Sequence, residues 1–316
     1  MTEYNGEKFG RVVFVCSKPL QFFNCASIAR SLSLESSTIF IVTKSIAQWQ
    51  DFKEYVLGSK YTSVFGDIKF YIDHKSVAAF LKKNCDYDSL FIECDRLANY
   101  NIFSSLKRQN LSVFEEGFGT YSGGPCGKFK LLRWLKWKLF SITTGSGMYF
   151  GDGVKTDFIF VCNVDLYKKL NVKSAKKAVP FPGIMDELEY NDDFFSEMEV
   201  KDLLPGDGGR VALILGTWGG AKDIEKELVQ GYSSIIYKAH PHDNCWLNVG
   251  DVKVIEKSWA PAEMLIFKLA AEVRELTVYH YSSSATFYCS SLKNVTFIDL
   301  LNNQRFLEVV GEGREQ

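Results

Sequence analysis

The sequence predicts an α/β protein of two doubly wound, Rossmann-like domains facing each other across a cleft. Three observations carry that expectation. Short β-rich runs alternate with helix-period patterns in both halves, the mark of βαβ units and parallel sheets. The alternation breaks once, at an acidic stretch ending in Pro205-Gly206-Asp207-Gly208-Gly209. The 316 residues suffice for two domains of ordinary size, and 46% hydrophobic with 24% charged residues is normal globular composition.

In chain order, residues 11–16 read as a buried strand and 19–32 as the helix after it, opened by Pro19. Residues 37–43 are a second strand, and 45–57 a helix. Strands at 67–71, 89–93 and 111–115 follow, with a helix at 77–83 and a last strand of this half at 158–162. Asp186, Glu187, Glu189, Asp192, Asp193, Glu197 and Glu199 then crowd a stretch that reads as a solvated connector. After it the alternation restarts: strand 210–215, helix 222–230, strand 235–239, strand 252–256, helix 261–269, strand 276–279, a helix from about Ser284, and strand 294–299. The expected domains are therefore 1–185 and 210–316 joined by 186–209, with the last helix free to pack back on the first domain. Ligand is expected at the carboxyl ends of the strands.

A formal net charge of −1 gives no global field for nucleic acid or an anionic membrane, so any such attraction must be local. The eight cysteines, at 16, 25, 85, 94, 126, 162, 245 and 289, form no Cys-x-x-Cys pair, so they read as small buried hydrophobes in a reducing cytosol. The polar first ten residues do not resemble a signal peptide, and no apolar run approaches the ~20 residues that span a bilayer. The expected location is cytoplasmic, with room for a peripheral place on the inner membrane.

Three segments follow strands and carry chemistry. Glu115-Glu116-Gly117 sets two carboxylates at a strand end before a turn-forming glycine, where one could act as a base; read locally, it is a turn with two solvated glutamates. His240-Pro241, with Lys238 beside it, offers an imidazole suited to proton transfer or to a phosphate oxygen. His242 and Asp243 follow at once, so which imidazole acts stays open. Ser282-Ser283-Ser284, at a helix start, offers hydroxyls and amides to one phosphate, where plain capping would use one serine. A softer signal is Ser17-Lys18-Pro19-Leu20-Gln21 with Asn24, which lacks the glycines of a dinucleotide fingerprint. Asp86-Tyr87-Asp88 has the spacing of a metal-binding pair but precedes its strand, so it reads as a polar turn.

Taken in order, Pro19-Leu20-Gln21, Glu115-Glu116-Gly117, His240-Pro241 and Ser283-Ser284 resemble the motif set of bacterial sialyltransferases of glycosyltransferase families 52 and 38 and their capsule and O-antigen relatives. The resemblance implies a GT-B fold, CMP-sialic acid as co-substrate, no cofactor or metal, and a galactoside-type acceptor in bacterial surface glycan synthesis. It implies that His240 assists departure of CMP and that Ser283 and Ser284 hold the phosphate, within a donor-binding set that includes Ser17, Gln21, Asn24, Gly216, Thr217, Lys238, Pro241 and Ser282. The base falls to the acidic pair, Glu115 ahead of Glu116, with Asp223 as the second-domain alternative. Other readings are a GT-B transferase using CMP-Kdo or a UDP-sugar, a nucleotide-sugar 2-epimerase of the same shape, and a non-catalytic glycan-assembly subunit.

Residues 128–140 contain five cations and two tryptophans. As a helix this segment is basic and amphipathic, suited either to an anionic membrane surface or to core packing with extended lysines. The first option fits a lipid-linked glycan acceptor.

Overall fold

The computed structural model describes residues 3–4, 7–34, 37–84, 86–95, 102, 110–121, 130–145, 147, 150–170, 177–190, 200–206, 209–217, 230–240, 252–255, 258–303, 306 and 310. The chain divides into two units, Met1–Lys44 with Asp51–Gly183, and Ser45–Gln50 with Ile184–Gln316.

The first unit opens with a short antiparallel pair, β1 (Glu3–Tyr4) and β2 (Glu7–Lys8). Its seven-stranded sheet then grows outward from β3 (Val12–Cys16), every residue of which is buried. Such a strand needs cover on both faces, as parallel sheets require. α1 (Pro19–Ser31) follows, its first turn preset by Pro19, which has no N–H to leave unsatisfied. It buries Phe22 edge-on against Phe52 and Tyr61, with ring centroids 5.6 and 5.2 Å away. β4 (Thr38–Val42), α2 (Trp49–Gly58), α3 (Tyr61–Val64) and β5 (Asp67–Tyr71) build one wing of the sheet. The chain then returns through α4 (His74–Lys83) to β6 (Ser89–Ile92), β7 (Asn110–Phe114), α5 (Phe118–Tyr121), α6 (Lys130–Thr144), β8 (Thr156–Val161), α7 (Val164–Leu170) and β9 (Ala178–Pro180). The strand order is β5-β4-β3-β6-β7-β8-β9, all parallel, so the winding direction reverses between β3 and β6.

In the second unit α8 (Ile184–Tyr190) and a 3₁₀ turn (Val200–Leu203) fall within or beside the acidic stretch. They precede β10 (Arg210–Leu215), β11 (Ser234–Lys238), β12 (Lys253–Ile255), α9 (Ala262–Glu272), β13 (Glu275–His280), α10 (Ala285–Tyr288) and β14 (Val295–Asp299). The order β12-β11-β10-β13-β14 is again all parallel, and winding reverses between β10 and β13. The two Rossmann-like sheets expected from the alternation are present.

Three local expectations change. The helix expected over 45–57 begins only at Trp49, because Gln48 takes a left-handed conformation (φ 51°) and its side-chain oxygen accepts from Ser258 N and Oγ, both at 3.0 Å. Residues 45–50 thus belong to the second unit. Residues 158–162 do not end the first half: β9 adds a seventh strand, short and carrying Pro180, which an edge position tolerates. The helix from Ser284 is a single turn. The helix expected at 222–230 lies outside the described residues. Asp86 and Asp88 bind Arg11 ahead of β3, Asp86 by its side chain and Asp88 by accepting the backbone N–H at 2.8 Å. No helix among the described residues is long and apolar enough to cross a membrane.

Candidate functional site

Doubly wound sheets present ligands with a crevice where the winding direction reverses, at the carboxyl ends of the two diverging strands. In the first unit those ends are Ser17, after β3, and Glu93, after β6. They are joined: Ser17 Oγ donates to Glu93 Oε1 at 3.1 Å. His74 Nε2 lies 3.1 Å from the same oxygen. Its place is set by the cap of α4, where Asp73 accepts from Ser76 N at 2.8 Å and fixes where the helix begins. Burial pulls the His74 pKa down, but the hydrogen bond and charge of Glu93, with Asp73, outweigh it and hold the imidazole above the ordinary histidine value. Gln21 Oε1 accepts from Ser17 N at 2.9 Å, while its Nε2 and Glu93 Oε2 are buried without a partner among the described residues. Sequence reasoning marked Ser17 and Gln21 but missed Glu93 and His74. Glu93 was visible as the last residue of an expected strand, and the reversal rule would have selected it once the strand order was known.

The acidic pair divides in two. Glu115 is fully buried, and its Oε2 accepts from Tyr121 Oη at 2.6 Å and from Cys162 N at 2.8 Å. Burial first, and the Glu115 charge second, push the Tyr121 hydroxyl and the Cys162 thiol well above their usual ranges. Asn24 Nδ2 donates to the Glu115 carbonyl at 3.1 Å, so this side chain braces the turn from α1. Glu116 is half-buried, with its N–H on Thr120 Oγ1 at 3.0 Å. Gly117 turns the chain at φ 98°, as only glycine does readily. A side chain at Gly119 would come within 2.8 Å of Glu116 Oε1, so the glycine leaves that carboxylate its place.

In the second unit the reversal lies between Gly216-Thr217, after β10, and the serines after β13. Gly216 N donates to Lys238 O at 2.8 Å, and a Cβ there would lie 2.6 Å from Tyr237 Oη and 3.1 Å from His240 N. The glycine therefore lets the backbone of His240 close up against β10. Thr217 and His240 are both half-buried at this edge. Lys238 is not: only 2% exposed, its ammonium donates to Ser258 O at 3.1 Å and Ala239 O at 3.3 Å. Burial lowers its pKa to about 8, against the opposing pull of Glu263. The donor-binding role expected of Lys238 does not fit this placement, since its ammonium is committed to the interior. Pro241 and Asp223 lie outside the described residues.

Each serine after β13 is held from behind by a different buried group. Ser282, in a left-handed conformation at φ 54°, donates its N–H to Asp299 Oδ1 at 2.7 Å and its hydroxyl to Asp299 Oδ2 at 3.2 Å. Ser283 N donates to His280 Nδ1 at 3.2 Å. The same Nδ1 lies 3.6 Å from Asp299 Oδ1, and Nε2 lies 3.0 Å from Thr286 Oγ1, so the ring is fixed from both sides. Ser284 Oγ donates to Glu263 Oε1 at 3.3 Å. Glu263 itself is buried, which raises its pKa, while its backbone amide and then Lys238 pull it back down. Ser283 Oγ accepts from Ala285 N at 3.3 Å, so its own proton stays available to a ligand, whereas those of Ser282 and Ser284 point inward. The helix start expected to bind an anion is thus one turn long, and the serines are positioned by Asp299, His280 and Glu263, none of which the sequence reading singled out.

No protein-family model and no curated protein matches this sequence. Solved structures do resemble it in three dimensions. A protein assigned as a UDP-N-acetylglucosamine 2-epimerase from Listeria monocytogenes aligns over 98% of this chain and 89% of its own, at 11% identity and TM-score 0.56. The wall teichoic acid polymerase TagF, solved with CDPG, aligns over 97% of this chain and 83% of its own (10% identity, TM-score 0.52). The chain has the GT-B fold. UGT73P12 of Glycyrrhiza uralensis, complexed with glycyrrhetinic acid 3-O-monoglucuronide, aligns over 97% of the chain and 92% of its own at 9% identity and TM-score 0.51. At such identities these likenesses speak for GT-B architecture alone.

Proposed function

We propose that this GT-B chain is an inverting glycosyltransferase of glycan synthesis whose donor is CMP-sialic acid. The observation that carries the reading is the carboxyl edge of the second sheet. There His240 and the Ser282–Ser284 turn flank β10 on either side, separated by two strand spacings, about 10 Å. A phosphate held from both sides there would lie over the end of β10, at Gly216 and Thr217. The ordered motifs that resemble sialyltransferases supply the rest of the reading.

In this reading the Ser283 hydroxyl donates to the phosphate of CMP. The acceptor hydroxyl attacks the anomeric carbon of sialic acid and loses its proton to a carboxylate. The bond from that carbon to the phosphate oxygen breaks, its electron pair leaves with CMP, and His240 stabilises or protonates the departing phosphate. Attack opposite the leaving group inverts the configuration. Glu116 is the better base of the pair, because the Glu115 carboxylate is buried and already holds Tyr121 and Cys162. CMP departs as a monophosphate, with less charge for a metal to neutralise, and metal independence is what the sialyltransferase resemblance implies.

A nucleotide panel tests the donor. Thermal stabilisation by CMP and CDP but not by UDP is expected, and a preference for UDP overturns the assignment in favour of a UDP-sugar transferase or 2-epimerase. His240→Ala should lower turnover of labelled CMP-sialic acid on a galactoside by about 10²–10⁴-fold while the protein stays folded.

A further inference from the structure

Helix α6 presents an apolar stripe to the outside. Leu132, Leu135, Leu139 and Ile142 are 66%, 48%, 66% and 73% exposed. At 100° per residue they fall within roughly 80° of helical arc. Lys136 and Lys138, both exposed, stand on opposite sides of that arc, and buried Phe140 lies beyond Lys136, on the side facing the unit. Val154, 86% exposed, is tied to the end of the helix by its N–H, which donates to Gly145 O at 2.9 Å. Core packing with extended lysines is therefore not how these four residues are used. Solvent-exposed leucines are ordinary one at a time, but four in line on one helix are not.

The charge around the stripe selects its partner. No acidic residue stands between Glu116 and Asp152, and that stretch holds Lys128, Lys130, Arg133, Lys136 and Lys138 in a chain whose net charge is −1. A second copy of the chain would bring an equal positive field against this one, which opposes self-pairing. An anionic bilayer offers acyl chains for the stripe and phosphate headgroups for the positive charge around it. We propose that α6 lies in the plane of an anionic membrane, with Leu132, Leu135, Leu139 and Ile142 inserted at the headgroup–acyl boundary and Lys136 and Lys138 on the lipid phosphates. The length suits this, since fifteen residues of helix run about 22 Å along the surface and fall short of a span. The inference concerns the first unit alone and stands apart from the identity of the donor.

Co-sedimentation of the full chain with vesicles tests it, using phosphatidylcholine with and without phosphatidylglycerol. Wild type should bind the anionic vesicles and be released by salt. Leu135→Ser with Leu139→Ser should weaken binding roughly tenfold or more even at low salt. Lys136→Gln with Lys138→Gln should cost roughly 25-fold on anionic vesicles, at about fivefold per lysine, and little on neutral ones. Both pairs are exposed, so their melting temperatures should match wild type, and any variant that melts early is replaced by Ile142→Ser alone. Wild type that stays in the supernatant, or a leucine pair that binds as tightly as wild type, overturns the proposal. So does a wild-type dimer in light scattering that the leucine substitutions convert to monomer, since the stripe would then be a self-interface.

Discussion

At the scale of single residues, the acidic pair shows how chemically identical side chains are sorted by what surrounds them. Glu115 accepts two hydrogen bonds in the interior, whereas Glu116 stands on a turn. Glu115→Gln should therefore lower unfolding free energy by about 2 kcal/mol in urea titrations, through weakened charge-assisted bonds. Glu116→Gln should leave stability unchanged and reduce turnover. The reverse pattern would return the base to Glu115. His74 makes a prediction about pH. Its pKa is raised in the folded chain, so the protein binds that proton more tightly than the unfolded chain does. The stabilisation is complete below the unfolded histidine value, near about 6.5, and is lost as pH rises through the higher folded value. Melting temperatures across that window should fall less steeply in His74→Asn than in wild type.

At the scale of elements, strands were legible and the groups behind the loops were not. Five consecutive apolar residues such as Val12–Cys16 announce a doubly covered strand. Nothing in local spacing says that Asp299, at the end of β14, will anchor Ser282, or that His280 will accept from Ser283. Those partners meet only because β13 and β14 pair in register, His280 opposite Asp299. Helix α6 was readable as amphipathic, yet periodicity does not tell which side of a helix faces the protein. The junction of β10 with β11 can be probed directly. Gly216→Ala should push against Tyr237 Oη and the backbone at His240, costing about 1–3 kcal/mol and displacing the imidazole. Adding Tyr237→Phe removes the nearest atom and should recover part of both stability and turnover. In the same junction, Lys238 binds its proton less tightly when folded than when unfolded. Stability of the second unit should thus rise with pH from about 8 toward the ordinary lysine value of 10.5. Lys238→Met should flatten that slope.

At the scale of the molecule, two parallel sheets were predictable from alternation, because each strand–helix–strand unit leaves its own local pattern, whereas the order of the strands leaves none. The donor reading makes a prediction at this scale too. CMP should slow amide exchange in Arg210–Leu215, Ser234–Lys238 and Glu275–His280 while leaving Val12–Cys16 and Ser89–Ile92 unchanged. The division of the chain was harder to foresee. Residues 45–50 carry no signal that they belong with a sheet that begins at Arg210, although Gln48 accepts from Ser258 and Ile46 is buried in the folded chain. Gln48 and its partner Ser258 are 210 positions apart. During synthesis, then, the ribosome releases Gln48 early and Ser258 late, and the bonds between them form only once the last quarter of the chain emerges. Expressing residues 184–316 by themselves would omit it, leaving Ser258 without its acceptor. The second sheet is therefore no cassette to be cut out at the acidic stretch and fused elsewhere.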